Sequence, residues 1–424
     1  LLDDIGDSLA VVHPSARLGP GRPYGTPLKC WRLNIPIQAV DKAFSAIPWL
    51  PTVFSNWTQQ NHLYHYDEYQ GFVPRAWLGE YVENVILCKL SAHVHEHTAL
   101  CTAFDWDAAQ ACWTVQLNTG LVLRSRRLVL ATGNEAPEVP SLPAWAEAVP
   151  VIRDPLLQVE QLKDLLDTRS LTIVGLGLTM VDLITYLATH QYAGTVFAVS
   201  RSGYLPLAHT TTPPPDEWLL DRQREHEAAL AVSGPQQDTV LFWFRHLRNQ
   251  IRSLKPDEHW QWVIDAFRPY VRQVWNRLSD SERLIFQRRL ARYWNIHRHR
   301  IPPDVARLLQ EWQHCGKLVV SRASTSEAWP RAEALVYCTG PLTDLTRSSN
   351  PLLRHGYQAG YLQPDPLRLG WQADTAGRLF SATTPHQQLY TLGPPLRSVW
   401  YESTALLEIV EQAIALARLL QKKR

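Results

Sequence analysis

Methionine occurs once in the 424 residues, at Met180, and the chain opens Leu-Leu. The natural N-terminus is therefore expected upstream of Leu1. Cysteine is sparse as well: Cys30, Cys88, Cys101, Cys112, Cys315 and Cys338 are scattered, with no C-x-x-C pair. That spacing argues against a zinc cluster and a dithiol relay, and it predicts free thiols in a reducing cytoplasm. No apolar run approaches the roughly 18 residues of a membrane span, and no signal-peptide pattern is present, so no membrane partner is expected. A strong excess of either charge is also lacking. The net charge is +2 and the pI about 8.2, which argues against a dedicated nucleic-acid binder. No G-x-S-x-G, serine-histidine-aspartate signature or Walker loop stands out, leaving hydrolase and kinase readings without support.

What is plentiful is proline (30) and tryptophan (17), the mark of a loop-rich chain with large aromatic surfaces. Ser8–Val12 reads as a strand, followed by a loop punctuated by Gly19, Gly21 and Gly25. "AWLGEYVENVILCKL" is helix-like, while "CWTVQL" and Leu128–Ala131 read as strands. "LTIVGLGLTMVD", Leu171–Asp182, is an apolar β-branched run that meets Gly175 and Gly177 and then turns helical. In a phosphate loop the first glycine permits the tight turn and the second lets a pyrophosphate approach the backbone. The helix N-terminus, here with the N–H groups of Leu178 and Thr179, presents donors and a positive dipole end. The third fingerprint position is Met180 rather than glycine, so the pattern also fits an ordinary strand-to-helix turn. Ser200 and Arg201 follow the next strand, where an arginine suits a ribose 2′-phosphate.

Two strand ends echo each other: "LVLATGN" closes on Thr132-Gly133 and "LVYCTGP" on Thr339-Gly340. They bracket the phosphate loop. A domain leaving at the first and returning near the second would be nested inside another. The expected fold is α/β, with two Rossmann-like dinucleotide-binding domains, one inserted in the other, and a helical insertion. The expected limits are 1–150 with 331–424 for the outer domain, 151–215 with 311–330 for the inner one, and 216–310 for the helices. The outer domain shows no fingerprint of its own, so either its site is degenerate or, as the missing initiator Met favours, its first βα unit is expected upstream, with "LLDDIGDS" as the tail of that helix. His13 stands where the strand end usually carries a carboxylate for the ribose.

"LGPGRPYGT", "LNIP", "FVPRAWLGEY", "LVLATGN", "LTIVGLGLTMVD", "VSRSGYLPLAH", "YWNIHRHRIPP", "LVYCTGP", "LQPDPLRLG" and "LYTLGPPLRSVWYESTALLEI" follow one another along nearly the whole chain. In that order they resemble the bacterial FAD/NAD(P)-binding protein family, a branch of the two-dinucleotide-domain flavoproteins with FAD-dependent urate hydroxylase-like members. The resemblance implies FAD in the outer domain, with Gly19, Gly21, Tyr24, Gly25, Leu33 and Asn34 near the flavin. It also implies Thr132 and Gly133 on the adenine side, and Gly393 with Pro394 capping the flavin. It implies NADPH (or NADH) at Gly175, Gly177, Leu178, Thr179, Ser200 and Arg201, with Gly340 beside them. A helix beginning near Glu402–Thr404 would then turn its positive end to the flavin.

Catalytic residues are not identified by any motif. His297 and His299, with Arg298 and Arg300, form a basic cluster fit for an anion or a proton transfer, or simply a helix C-terminal face. Arg397 and Glu402 suit substrate contacts or a structural ion pair. His93, His95 and His97 alternate along one strand face and read as a solvated edge, with no metal expected. Trp77 and Trp400 are expected in the core. The implied enzyme is an NAD(P)H-dependent flavoprotein monooxygenase acting on a small substrate with dioxygen. A flavin reductase or dehydrogenase and a non-catalytic redox-sensing nucleotide binder are the alternatives. A homo-oligomer is compatible with the sequence.

Overall fold

The computed structural model describes residues 9–421 except 16, 48, 51–52, 63–68, 91–93, 235–237 and 384–387. The expected helix tail at residues 1–8 and His93 lie outside the described residues. The chain divides into two units. One comprises Leu1–Ala136 and Pro341–Arg424, and the other Pro137–Gly340, inserted between them in sequence.

The outer unit begins with β1, Leu9–His13, paired in parallel with β2, Val94–Thr98. β3, Cys101–Asp107, β4, Cys112–Leu117, and β5, Val122–Ser125, form an antiparallel meander. β6, Leu128–Leu130, pairs in parallel with the late strand Leu389–Thr391. Phe104 and Trp113 from the meander pack with Leu353, Leu362, Trp371 and Leu389, all 1% exposed or less. A second core joins the helix Ile37–Phe44 to Phe54, Trp77, Leu78 and Tyr81, and takes Val410 from the C-terminal helix Leu406–Gln421. Trp77 and Trp400 are both core residues, at 6% and 4% exposure.

The inner unit is built on five parallel strands. They are β7, Val151–Ile152; β8, Ser170–Val174; β9, Thr195–Ser200; β10, Leu318–Arg322; and β11, Ala334–Tyr337, in the order β10-β9-β8-β11-β7. β8 from Leu171 to Val174 and all of β11 are buried without alternation because both faces are covered, as a parallel sheet requires, and the buried Thr172 hydroxyl donates to the Pro330 carbonyl. The helix Leu178–Thr189 carries the chain from β8 to β9. Between β9 and β10 lie the helices of 216–314, from Asp216–Val232 to Pro303–His314. Residues 137–150 and 331–340, expected in the outer domain, lie in the inner unit. The reason is packing: β11 sits between β8 and β7, and its Leu335 and Tyr337 share a core with Ala146, Val139 and Trp145.

Within the helical segment, His226 is fully buried and its Nδ1 lies 2.9 Å from Nε2 of His246. Burial, then the neighbouring His246 and Arg222, push the His226 pKa down from 6.5 to about 3. Burial also lowers that of His246, against the pull of Glu225. The unfolded chain takes up protons near pH 6.5 that the folded chain refuses until far lower pH. The stabilisation is therefore complete above pH 6.5 and drains away as pH falls toward 3. Urea midpoints should drop between pH 7.5 and pH 5, and His226→Gln should flatten that drop; an equal drop in the variant would refute this assignment.

Candidate functional site

In the inner unit the apolar run of β8 ends at Val174, and Gly175 turns the chain with φ +109°. A side chain there would overlap the Cys338 carbonyl, so only glycine fits. Gly175 N–H donates to the Val199 carbonyl at 2.8 Å, and Cys338 N–H donates to that of Val174 at 2.7 Å. The loop is thus clamped at the carboxyl end of β8, where β9 lies on one side and β11 on the other. This is the topological switch point of the sheet, the usual crevice for a ligand in open α/β sheets.

Gly177 is different. Its φ of −84° is open to any residue, yet nothing lies within 4 Å of where a Cβ would be. Its carbonyl accepts from Met180 and Val181, leaving the N–H groups of Leu178 and Thr179 as first-turn donors without intrahelical acceptors. Met180, the departure from the fingerprint, is fully buried. Gly340, at φ +81°, also faces open space, and Thr339 Oγ1 donates to the Glu138 carbonyl at 2.5 Å.

Ser200 Oγ, at the end of β9, accepts from Gly203 N–H at 3.0 Å and lies 3.4 Å from Ser202 Oγ. Arg201 beside it is exposed. The sheet register sets Arg322, also exposed, opposite Ser200. Arg322 escaped sequence analysis because only strand pairing brings it there. Cys338 is no nucleophile: burial, with Asp182 and Asp154, pushes its thiol pKa far up.

The basic cluster is largely internal. Arg300 is 3% exposed, and its guanidinium donates to Gln261 Oε1 at 2.9 Å and Asp265 Oδ1 at 2.5 Å. Arg298 is also buried. His297 Nδ1 lies 2.8 Å from the Tyr293 carbonyl one turn back, with its ring edge-on to Trp260 at 4.8 Å. His299 closes the helix, its N–H donating to Asn295. Both histidines are half-buried.

In the outer unit β6 and its parallel partner Leu389–Thr391, here β12, end side by side, and Thr391 Oγ1 donates to the Leu130 carbonyl at 2.7 Å. Gly133 (φ +69°) follows one strand and Gly393 (φ +75°) the other, and each faces open space where a Cβ would be. A cleft there is lined by Gly133, Asn134, Pro394, Pro395, Arg397 and Thr404, among others. Three buried polar atoms at or near these turns have no protein partner: Thr132 Oγ1, Arg397 Nε and Gln412 Nε2. Native interiors rarely leave such atoms unmet. Arg397 otherwise lies over the Tyr401 ring, 5.0 Å from its centre.

Gly19, Gly21, Tyr24, Gly25, Leu33 and Asn34 are not among the residues lining that cleft. A Cβ on Gly19 would come within 2.7 Å of Leu87 and 2.9 Å of Val82. Both belong to a π-helical turn, Val82–Leu87, a form that sequence periodicity did not reveal. Gly25 N–H donates to the Gly21 carbonyl and Leu33 N–H to that of Val73. Burial pushes the Tyr24 phenol pKa up, with Arg75 opposing. At the end of β1, His13 Nε2 lies 2.8 Å from Oε1 of Glu96 on β2. Gln412 was also missed; its signal was a polar side chain four residues after Glu408 on a helix otherwise rich in leucine and alanine.

Residues 6–135 match the model of the FAD-NAD(P)-binding family. No curated protein matches the chain by sequence. Among solved structures, the fold is similar to the ornithine N-hydroxylase of Kutzneria sp. 744 with reduced FAD, NADP+ and L-ornithine. The TM-score is 0.62 at 14% identity, covering 98% of this chain and 92% of that one. It is also similar to the FAD-bound cadaverine monooxygenase of the desferrioxamine pathway from Erwinia amylovora, with a TM-score of 0.57 at 15% identity, covering 97% and 88%. L-lysine 6-monooxygenase from Pseudomonas syringae gives 0.52 at 15% identity, covering 89% and 83%. The fold is that of the two-dinucleotide-domain flavoproteins.

The two loop glycines should separate in a substitution test. Gly175→Ala is expected to cost about 3 kcal/mol or more, from positive φ and overlap with Cys338. Gly177→Ala should cost under about 1 kcal/mol but weaken nucleotide binding about tenfold or more, because its methyl fills the space left open. Denaturation midpoints and nucleotide titration check both, and equal stability losses would refute the distinction.

Proposed function

We propose that the chain is a flavoprotein monooxygenase that binds FAD in the outer unit and NADPH in the inner unit, and uses dioxygen to hydroxylate a small substrate. One observation carries the reading. In each unit glycine turns following parallel strands face open space: Gly133 and Gly393 in one, Gly177 and Gly340 in the other. Backbone without side chains is what a flat or phosphate-bearing ligand needs for close approach.

The residues present fit both cofactors. In the outer unit, the Thr132 hydroxyl, Arg397 Nε and Gln412 Nε2 await polar partners, and the Gly393–Pro394 turn leaves room for a planar ring. Gly19, Gly21, Tyr24, Gly25, Leu33 and Asn34 are assigned to shaping the flavin side of that unit. In the inner unit, the N–H groups of Leu178 and Thr179 receive the pyrophosphate at the helix N-terminus. Ser200 and Arg201, with Arg322 opposite, supply hydroxyl and guanidinium donors for a ribose 2′-phosphate.

When bound, the nicotinamide supplies hydride and the flavin supplies the redox and oxygen chemistry. The protein's work is to bind, orient and exclude water. His297 and His299 are the proton-transfer candidates, as half-buried imidazoles at the end of their helix. Arg397 is the candidate for holding an anionic or carbonyl group beside the Pro394 turn. All six cysteines are free thiols, which fits a cytoplasmic location. Among the described residues, no helix is long and apolar enough to cross a membrane.

The purified chain should carry or take up FAD with a yellow flavin spectrum, bleach anaerobically with NADPH, and recover its colour on admission of oxygen. Absence of bleaching would refute the electron-transfer reading. Arg201→Ala should weaken NADPH binding more than about tenfold while changing NADH binding less than about twofold, as expected for loss of a charge-assisted phosphate contact. Equal effects on the two nucleotides would remove Arg201 from the site.

A further inference from the structure

Beyond the end of β9 the inner unit gathers arginines and tyrosines from three separate segments. Arg322, opposite Ser200 in the strand register, has its Cβ 3.6 Å from where a side chain on Gly203 would begin. The Gly203 turn, at φ +72°, leads to Tyr204. The Tyr204 ring lies against that of Tyr293, with centroids 5.5 Å apart and planes at 40°. Tyr293 belongs to the helix Ala291–Arg298, and the Leu207 N–H, donating to the Ile296 carbonyl at 3.3 Å, ties the chain after Tyr204 to that helix. Arg292 sets its guanidinium carbon 4.9 Å from the centre of the Tyr293 ring and its Nη2 3.5 Å from the hydroxyl.

The phenols link these groups. The bond from Tyr204, then Arg292 and at longer range Arg322, hold the Tyr293 phenol below its usual pKa. Tyr293 Oη is thus an acceptor within the cluster, and its own O–H, with no acceptor among the described residues, is left to donate outward. No carboxylate among the described residues pairs with Arg201, Arg292 or Arg322, whereas Arg169 meets Glu333 and Arg224 meets Asp221. Arg201, Tyr204, Arg292, Tyr293 and Arg322 are all exposed, so a ligand reaches them without displacing protein. Like charges gathered in this way repel, and a bound dianion relieves the repulsion. Planar guanidinium donors and a hydroxyl suit the three oxygens of a phosphate monoester.

We propose that the helix Ala291–Arg298 completes the nucleotide site: Arg292 and the Tyr293 hydroxyl, together with Arg322, are specificity residues for a ribose 2′-phosphate. The inference rests on the reading of the inner unit as an NADPH site, and it gives the helical segment between β9 and β10 a part in choosing the nucleotide. Continuity with Ser200 and Arg201 favours a nucleotide phosphate over an acidic protein surface.

The adenosine end of the nucleotide is enough to test this. Adenosine 2′,5′-bisphosphate and adenosine 5′-monophosphate, which differ only in the 2′-phosphate, are titrated calorimetrically into the full chain and its variants, with denaturation midpoints recorded. Arg292→Gln should weaken the bisphosphate about tenfold or more and the monophosphate less than about twofold. Tyr293→Phe should weaken the bisphosphate about fivefold, as for loss of one hydrogen bond, and spare the monophosphate. Arg169→Gln, at the amino end of β8 and so at the opposite end of the sheet, should change neither; a loss there equal to that of Arg292→Gln would reduce the effect to overall charge and overturn the proposal. Equal weakening of both ligands by Arg292→Gln would also overturn it. So would wild-type preference for the bisphosphate in both Arg292→Gln and Tyr293→Phe while Arg201→Ala loses it, and that result would leave the NADPH reading standing. A wild-type chain without preference for the bisphosphate would overturn the reading of the inner unit as specific for NADPH, and this inference with it.

Discussion

The contact between Gly175 and the Cys338 carbonyl organises the inner unit. A parallel sheet must bring strands distant in sequence side by side, and it reverses its order at one place. That place is the junction of β8 and β11, where the two backbones approach too closely for any Cβ. Hydrogen bonds from Gly175 to Val199 and from Cys338 to Val174 tie β9, β8 and β11 together at that junction. Because the turn is clamped there, the next glycine stands clear of the protein, with the donors of the helix N-terminus behind it. Gly175 is thus an architectural residue and Gly177 an open one, although the fingerprint treats both as one motif.

The outer unit depends on a different constraint, the satisfaction of buried polar atoms. Much of its core is aromatic and closes on itself through Phe104, Trp113 and Trp371. Around the ends of β6 and β12 glycine turns leave gaps, and Thr132, Arg397 and Gln412 carry unmet polar atoms, as the Trp113 and Trp371 indoles do in the aromatic core. His13 follows the same logic at β1, its imidazole meeting the Glu96 carboxylate of the adjacent strand.

Patterns local in the chain were legible before the structure. The β-branched run ending at Gly175, the Thr-Gly strand ends and the helix-spaced segments of 216–310 each rest on backbone propensity and apolar periodicity, which act over a few residues. Residues 137–150 and 331–340 were not placed correctly, because membership in a sheet is set by a partner strand and not by the segment itself. The basic cluster around His297 read as an anion or proton-transfer site or a helix C-terminal face, since sequence does not reveal that Arg300 meets Asp265 and Gln261 inside the helical segment.

The sequence by itself determined the α/β class, the nested order of the segments, the glycine turn from strand to helix and the arginine after β9, because each is written in neighbouring residues. Only the tertiary structure decided which glycine packs and which stands open, that Arg322 lies opposite Ser200, and that Glu96 reaches His13. It also decided that Gln412 keeps a buried donor unmet beside Gly393. These depend on strand register and helix facing across long separations in the chain, where close approach and hydrogen-bond partners are set by packing.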